Sequence, residues 1–249
     1  MKPTFALVSN VERLMAGIAI VHQRGAMEAG MMLVTSEPGF GKTETLRWYV
    51  SQQPYAVYVR AKSGWTRHWF LNDLLSALGV SPQRLTEDMF RQAVSALESR
   101  PYTVVVDEVE HALADHAVME AIRDVSDATK IPVVLVGMDQ VKDRIRSRYP
   151  QISSRIAVIV YFQPVSREDV AKAASTLLDG VRLDQDLVEE IHRQCEGRMR
   201  LVMNALGNCE RVARQRKAGS LSMKDVEGQE LIHDWQSKRP RLVKLQRQA

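Results

Sequence analysis

Cysteine is scarce in these 249 residues: only Cys195 and Cys209 occur, 14 positions apart, with no histidine or cysteine cluster beside them. That excludes a disulfide framework and a cysteine-rich zinc site, and leaves a reduced, cytoplasmic setting as the expectation. No apolar run approaches the roughly 18 residues of a membrane span, so no membrane partner is expected. The start, MKPTFALVSN, has one lysine, a short apolar patch and no cleavage signature, so it is not expected to act as a secretion signal. The six histidines lack metal-ligand spacing. There are no internal repeats and no long low-complexity segment, and nothing has the form of a base-reading motif.

What is present is an ordinary globular composition, 45% hydrophobic and 26% charged, long enough for one large α/β domain and a small satellite. Lysine and arginine outnumber aspartate and glutamate by 34 to 30. A net +4 is a weak pointer to nucleic acid, and the distribution of the charge says more.

Ser9-x-x-Glu12 has the form of a capping box, followed by Val11, Leu14, Met15 and Ile18 at helical spacing, so a helix is expected up to Gly25. Short apolar strands are expected at Met31–Thr35, Ala56–Arg60, Thr103–Val106, Pro132–Val136 and Ala157–Phe162. Helices are expected up to about Gln53, over Trp69–Leu78, over Glu87–Ser99 with Thr86 as cap, and over Ala117–Thr129. Near-continuous apolar strands alternating with helices predict a five-stranded parallel sheet covered on both faces. Beyond Pro164 the strand pattern stops. Ser166-x-x-Asp169, Asp184, Arg198 and Ser222 each open a helical stretch, so residues 1–164 are expected as the α/β core and 165–236 as a small all-helical lid. Residues 237–249, with five basic residues and no acid among the last twelve, are expected as a mobile basic tail. Met27, Met31 and Met32 are expected to pack in the core.

Two motifs carry the chemistry. Ser36-Glu37-Pro38-Gly39-Phe40-Gly41-Lys42-Thr43, between a strand and a helix, is the arrangement that holds polyphosphate, and the following Glu44 is expected at the nucleotide with it. Backbone N–H groups of the loop and the helix N-terminus face the anion, Gly39 and Gly41 allow close approach, Lys42 reaches the β- and γ-phosphates, and Thr43 ligates Mg²⁺. Serine stands at Ser36, where the usual pattern begins with glycine. The second motif is a buried strand ending in Asp107-Glu108, at the edge where open α/β sheets bind ligands. Asp107 is expected in the magnesium shell and Glu108 as the base that polarises water. The adjacent glutamate favours hydrolysis over phosphoryl transfer to a second substrate. ATP and Mg²⁺ are therefore the expected cofactors.

On these motifs the chain resembles the AAA+ ATPases. Within them it resembles the transposition regulators, the group of the B protein of Mu-like phages and of TnsC, TniB and IstB. The resemblance runs over about residues 5–235, and its narrower part rests on the compact core-plus-lid size and on Glu196-Gly197-Arg198-Met199-Arg200 through Leu206. It implies that Arg200 is the lid arginine contacting the γ-phosphate. It also implies that Arg155, in Ser153-Ser154-Arg155-Ile156, reaches the nucleotide of a neighbouring subunit, with Arg144, Arg146 and Arg148 crowding the same region. The sequence departs from the family at the end of the fourth strand. There Val136-Gly137-Met138-Asp139 replaces the usual polar sensor, leaving Asp139 as the possible substitute. No helix-turn-helix domain ahead of the ATPase is expected.

The resemblance further implies double-stranded DNA, a transposase and other copies of the chain as partners, in a filament or ring. Arg60, Lys62, Trp65 and Arg67, in the loop after the second strand, are the candidate DNA contacts. The alternative makes Trp65 and Trp69 core anchors with the cations facing solvent. Arg198, Arg200, Arg211, Arg214, Arg216 and Lys217 form a second basic region. The expected function is an ATP-dependent, sequence-nonspecific DNA-binding ATPase that delivers target DNA and stimulates a transposase, in the host cytoplasm if phage-encoded. The alternatives are a replicative helicase loader or initiator, and a nucleotide-gated scaffold with little hydrolysis.

Overall fold

The computed structural model describes residues 1–25, 30–233 and 241–243. Its contacts divide the chain into two compact units: one of Met1–Glu12, Pro38–Gly41 and Gln163–Ala249, the other of Arg13–Glu37 and Lys42–Phe162. The break at Phe162 lies two residues before the expected boundary at Pro164, but Met1–Glu12 and Pro38–Gly41, expected in the core, group with residues 163–249.

The larger unit carries the sheet. Helix α1 (Ser9–His22) leads into β1 (Met31–Thr35), α2 (Lys42–Gln52) and β2 (Ala56–Arg60). Then come α3 (Arg67–Ala77), α4 (Thr86–Glu98), β3 (Thr103–Asp107), α5 (His116–Thr129), β4 (Val133–Gly137), α6 (Gln140–Arg148), the single turn α7 (Pro150–Ser153) and β5 (Ile156–Tyr161). The five strands are parallel in the order β2-β3-β4-β1-β5. Every residue of β1, β3 and β4 is buried, whereas the edge strands β2 and β5 are only partly buried. That is why the three central strands read as unbroken apolar runs. Met31, Leu33, Val104, Val106, Val133 and Leu135 share one core with Phe70, Leu74, Met89, Leu97 and Ile122 of the covering helices. Met32 is also fully buried; Met27 lies outside the described residues. On α1, Gly17 is held so close to β5 that a Cβ there would stand 2.4 Å from Val160 Cγ2.

Strand and helix bounds follow the sequence reading within one to three residues, with local differences that have clear causes. The box expected from Ser9 and Glu12 does not form, because the Asp169 carboxylate takes both the Ser9 N–H at 2.7 Å and the Ser9 hydroxyl at 2.8 Å. Glu12 pairs with Lys172 instead. Thr86 is the first residue of α4 rather than its cap, and its hydroxyl meets His68 Nδ1 at 2.9 Å. Helix α6 was not expected: it buries only Val141 and Ile145 in a run of charged residues, too few apolar positions to show a period.

In the other unit α8 (Arg167–Leu177) starts at a complete capping box between Ser166 and Asp169. It is followed by β6 (Arg182–Leu183), α9 (Gln185–Cys195), α10 (Met199–Arg216), β7 (Ser220–Leu221), β8 (Glu230–Ile232) and β9 (Arg241–Leu242). The helical lid thus also holds two small ladders, β6 with β7 and β8 with β9. The second draws Arg241 and Leu242, expected in the tail, into an ordered pair; residues 234–240 and 244–249 lie outside the described residues. Among the described residues no helix is long and apolar enough to cross a membrane.

Candidate functional site

Parallel pairing brings the C-terminal ends of β1, β3 and β4 to one edge, and the two sequence motifs meet there. Helix α2 begins at Lys42, so its positive N-terminal end faces that edge. The Lys42 ammonium donates to the Ser36 carbonyl at 2.8 Å, the Ser36 hydroxyl at 2.7 Å and the Glu37 carbonyl at 3.1 Å. Ser36 is buried, so the serine in the usual glycine slot serves as a seat for the lysine. Burial holds the Lys42 ammonium below the usual lysine range, against the opposing pull of Asp139, Glu110 and Asp107. Glu44, expected near the nucleotide, is exposed on α2 and pairs with Arg47 at 3.2 Å.

Asp107 is buried and heavily engaged. Its Oδ2 accepts from the Thr43 hydroxyl at 2.9 Å and the Tyr58 hydroxyl at 2.7 Å, and its Oδ1 from the Glu108 N–H at 2.8 Å. Burial, and then the adjacent Asp107 carboxylate, push the Tyr58 phenol well above its usual range, so Tyr58 stays a neutral donor. Sequence reasoning missed Tyr58. Its signal was a hydroxyl-bearing aromatic in an otherwise apolar strand, and only the β2–β3 pairing reveals its target. Thr43 and Asp107 together offer hydroxyl and carboxylate oxygens, the donor chemistry a magnesium ion takes.

Glu108 adopts a left-handed backbone, φ 54°, a conformation a non-glycine residue holds at some cost. This turns its side chain toward β2, where Arg60 Nη2 donates to Oε1 at 2.6 Å. Arg60 ends β2 directly beside Asp107, so strand register alone sets this pair. At the neighbouring β4 end, Asp139 Oδ1 accepts from the Thr35 hydroxyl at 2.8 Å, while Met138 is exposed and carries no strong hydrogen-bonding group.

Gly39 and Gly41, both at φ 91°, bend the tip of the phosphate loop into a conformation that disfavours any residue with a Cβ. The tip residues Pro38–Gly41 cluster with the lid residues. Glu37 and Pro38 are exposed and Phe40 is buried. Gly39 lies under the stem of Arg198, whose carbons stand 3.6–3.8 Å from where a Cβ would be, and Met199 lies equally close to Gly41. Arg200, the lid arginine expected from the sequence, donates its backbone N–H to the Gly39 carbonyl at 3.1 Å while the residue as a whole is exposed. Arg198, which the sequence reading placed only in the lid-helix motif and the second basic region, is the arginine whose side chain lies against the loop tip. Its position at the N-cap of α10 was the available signal.

Arg155 sits at the opposite edge of the sheet. Its carbonyl accepts from the N–H of Met31, the first residue of β1. A five-residue strand of roughly 17 Å therefore separates it from its own chain's phosphate loop. Its guanidinium grips both oxygens of Asp127, at 2.7 and 2.6 Å. Both line a cavity of about 730 Å³ with Arg24, Arg100 and Lys130, the cations that follow the C-terminal ends of α1, α4 and α5.

The loop after β2 corrects one candidate DNA contact. Trp65 is 1% exposed, packs edge-on against Phe70 with ring centroids 5.3 Å apart, and donates its indole N–H to Asp73 at 3.0 Å. It is a core anchor, because burying the indole beside a carboxylate satisfies both its apolar body and its polar tip. The exposed aromatic is Trp69, 40% exposed, with the Lys62 ammonium 5.1 Å from the centre of its ring. Lys62 also pairs with Asp73 at 2.9 Å, and Arg67 lies 6.0 Å over the Phe90 ring.

Residues 24–145 match the family model described as AAA domain. Among solved structures, the chain is similar to the Aeropyrum pernix ORC2 protein in ADPNP–ADP complexes, with a TM-score of 0.68 at 18% identity, covering 86% of this chain and 65% of that one. It is also similar to the Aeropyrum pernix ORC1 protein in complex with DNA, with a TM-score of 0.62 at 16% identity over 87% of this chain and 62% of that one. A third similar structure is the Thermotoga maritima RuvB Holliday junction branch migration motor, with a TM-score of 0.54 at 19% identity, covering 87% and 66%. At these identities the likeness is one of fold, and the chain spans less than two thirds of the length of both ORC proteins. No curated protein matches in sequence.

Proposed function

We propose, from the match of residues 24–145 to the AAA domain model, that the chain is an ATP-dependent, sequence-nonspecific DNA-binding ATPase. In this reading it assembles as copies on duplex DNA and presents that DNA to a transposase, which it stimulates. Lys42 would hold the β- and γ-phosphates, and Thr43 and Asp107 the magnesium ion, which supplies charge neutralisation at the phosphates. Glu108 takes the proton of the attacking water once it is released from Arg60, and the bond from the γ-phosphorus to ADP breaks. Arg155, too far from its own chain's phosphate loop, serves a neighbouring copy, and Arg200 acts from the lid.

The observation that supports this reading most is the Arg60–Glu108 bond. It ties the candidate base of hydrolysis to the strand end that opens the cationic, aromatic loop Arg60–Trp69. A phosphate backbone competing for Arg60 would free Glu108, which couples DNA contact to turnover. Binding that rests on cations and an exposed Trp69, without base-reading groups, is salt-sensitive and indifferent to sequence.

The test is binding of a fluorescent random-sequence duplex with ATP, ADP or a non-hydrolysable analogue, repeated with Lys42→Ala. Cooperative, ATP-dependent binding lost in Lys42→Ala is the expected result; equal binding with ATP and ADP overturns the proposal. A second reading, an initiator or helicase loader, is favoured by the fold likeness to the two ORC proteins. Co-purification with a hexameric helicase, in place of stimulation of a transposase, selects it.

A further inference from the structure

A fourth carboxylate at the phosphate edge, beside Asp107, Glu108 and Asp139, is unused by the reading above. Glu110 lies two residues beyond Glu108, on a turn fixed by the Val109 N–H bond to the Val136 carbonyl at 2.9 Å and the His111 N–H bond to the Glu108 carbonyl at 3.0 Å. Its Oε2 is buried and has no hydrogen-bond partner among the described residues. The atom is pressed against the end of β4: a Cβ on Gly137 would stand 2.7 Å from it, so glycine at that position is what admits the carboxylate. Gly137 pairs in register with Thr35, the residue before the Ser36 that seats the Lys42 ammonium, and the charges of Asp139, Glu110 and Asp107 all act on that ammonium.

The other polar groups around Lys42 are already engaged. Asp107 is held by Thr43, Tyr58 and the Glu108 N–H; Glu108 is held by Arg60, and Asp139 by Thr35. Met138 offers no strong acceptor. A carboxylate oxygen stripped of water and left unpaired opposes folding, and such groups persist where function uses them. We propose that Glu110 is a positioning residue of the nucleotide site. When nucleotide binds, this oxygen turns from its buried place against Gly137 toward the terminal phosphate, accepts a hydrogen bond from the attacking water and holds that water in line. The proton still passes to Glu108, so Glu110 supplies orientation only. The inference rests on the ATPase reading.

The experiment compares wild type, Lys42→Ala, Glu110→Gln and Glu110→Asp. It reads steady-state ATP hydrolysis, affinity for a fluorescent ATP analogue, and thermal unfolding of the nucleotide-free protein. Glu110→Gln is expected to lower kcat roughly 10²-fold, the scale of a misplaced reactant, with KM and analogue affinity little changed. Its nucleotide-free Tm should hold or rise, because a neutral amide is easier to bury than a carboxylate. Glu110→Asp, which keeps the charge but withdraws the oxygen, should lose kcat as well. Retained kcat in Glu110→Gln overturns the proposal, as does a fall in Tm that accounts for the lost activity. If wild type hydrolyses ATP and Lys42→Ala does not, such a result sinks this inference alone. A wild type without hydrolysis sinks the ATPase reading and this inference with it.

Discussion

Arg60 and Glu108, 48 residues apart in the chain, are joined by a 2.6 Å charge-assisted hydrogen bond across the ends of two adjacent parallel strands. The base proposed for hydrolysis is therefore restrained by a cation that opens a candidate DNA-contacting loop.

Removing that restraint should separate the two activities. Arg60→Ala is expected to raise basal ATP hydrolysis by roughly threefold or more, since a small change in barrier is a large change in rate. It should also weaken DNA binding and flatten the stimulation of turnover by DNA. Turnover measured with and without duplex is the check, and an Arg60→Ala protein that DNA stimulates as strongly as wild type counts against the coupling.

The two tryptophans of the loop should behave oppositely. Trp65→Ala removes a fully buried ring and is expected to cost about 3–5 kcal/mol of stability. Trp69→Ala, at an exposed position, should leave the unfolding transition within about 0.5 kcal/mol of wild type and weaken DNA binding. Denaturant unfolding paired with duplex titration separates them.

Arg155 lies at the edge of the sheet away from its own phosphate loop, so the proposed role in hydrolysis requires that it act on the nucleotide of another copy. Arg155→Ala and Lys42→Ala should each be inactive alone. Mixed, they should recover a fraction of wild-type turnover, because one supplies the arginine and the other the nucleotide. No recovery at any mixing ratio removes Arg155 from the trans role.

Asp169 anchors the start of the chain to the lid through the Ser9 N–H and hydroxyl, and closes the capping box with Ser166. Burial pushes its carboxyl up, but the bonds from Ser9 and Ser166 more than offset this and leave it below the usual aspartate value. A depressed folded value means that the stabilisation is present above the unfolded value, about 3.9, and is lost as pH falls through the folded one. Asp169→Ala should cost about 2 kcal/mol at neutral pH. The gap to wild type should narrow as the medium is acidified below about pH 4, read as Tm against pH.

The phosphate loop was legible because its chemistry is contiguous: strand, glycines, lysine, threonine and helix lie within one short stretch, and local backbone geometry does the rest. The acidic strand end was legible for the same reason, as an apolar run closed by two carboxylates. The partners of those residues were not. Tyr58 on Asp107, Arg60 on Glu108 and Asp127 on Arg155 depend on which strands and helices become neighbours, and no local period encodes that. Trp65 shows the limit most plainly. A tryptophan among cations reads equally as a surface contact or a core anchor until the packing of α3 shows its N–H turned inward to Asp73.

By itself, then, the sequence determined most of the element types and the parallel sheet, because each follows from hydrophobic period and local turn chemistry. The tertiary structure decided which carboxylate is restrained, which is left unpaired against Gly137, and which tryptophan meets solvent. Those outcomes depend on strand register and side-chain burial, which arise only when distant segments pack together.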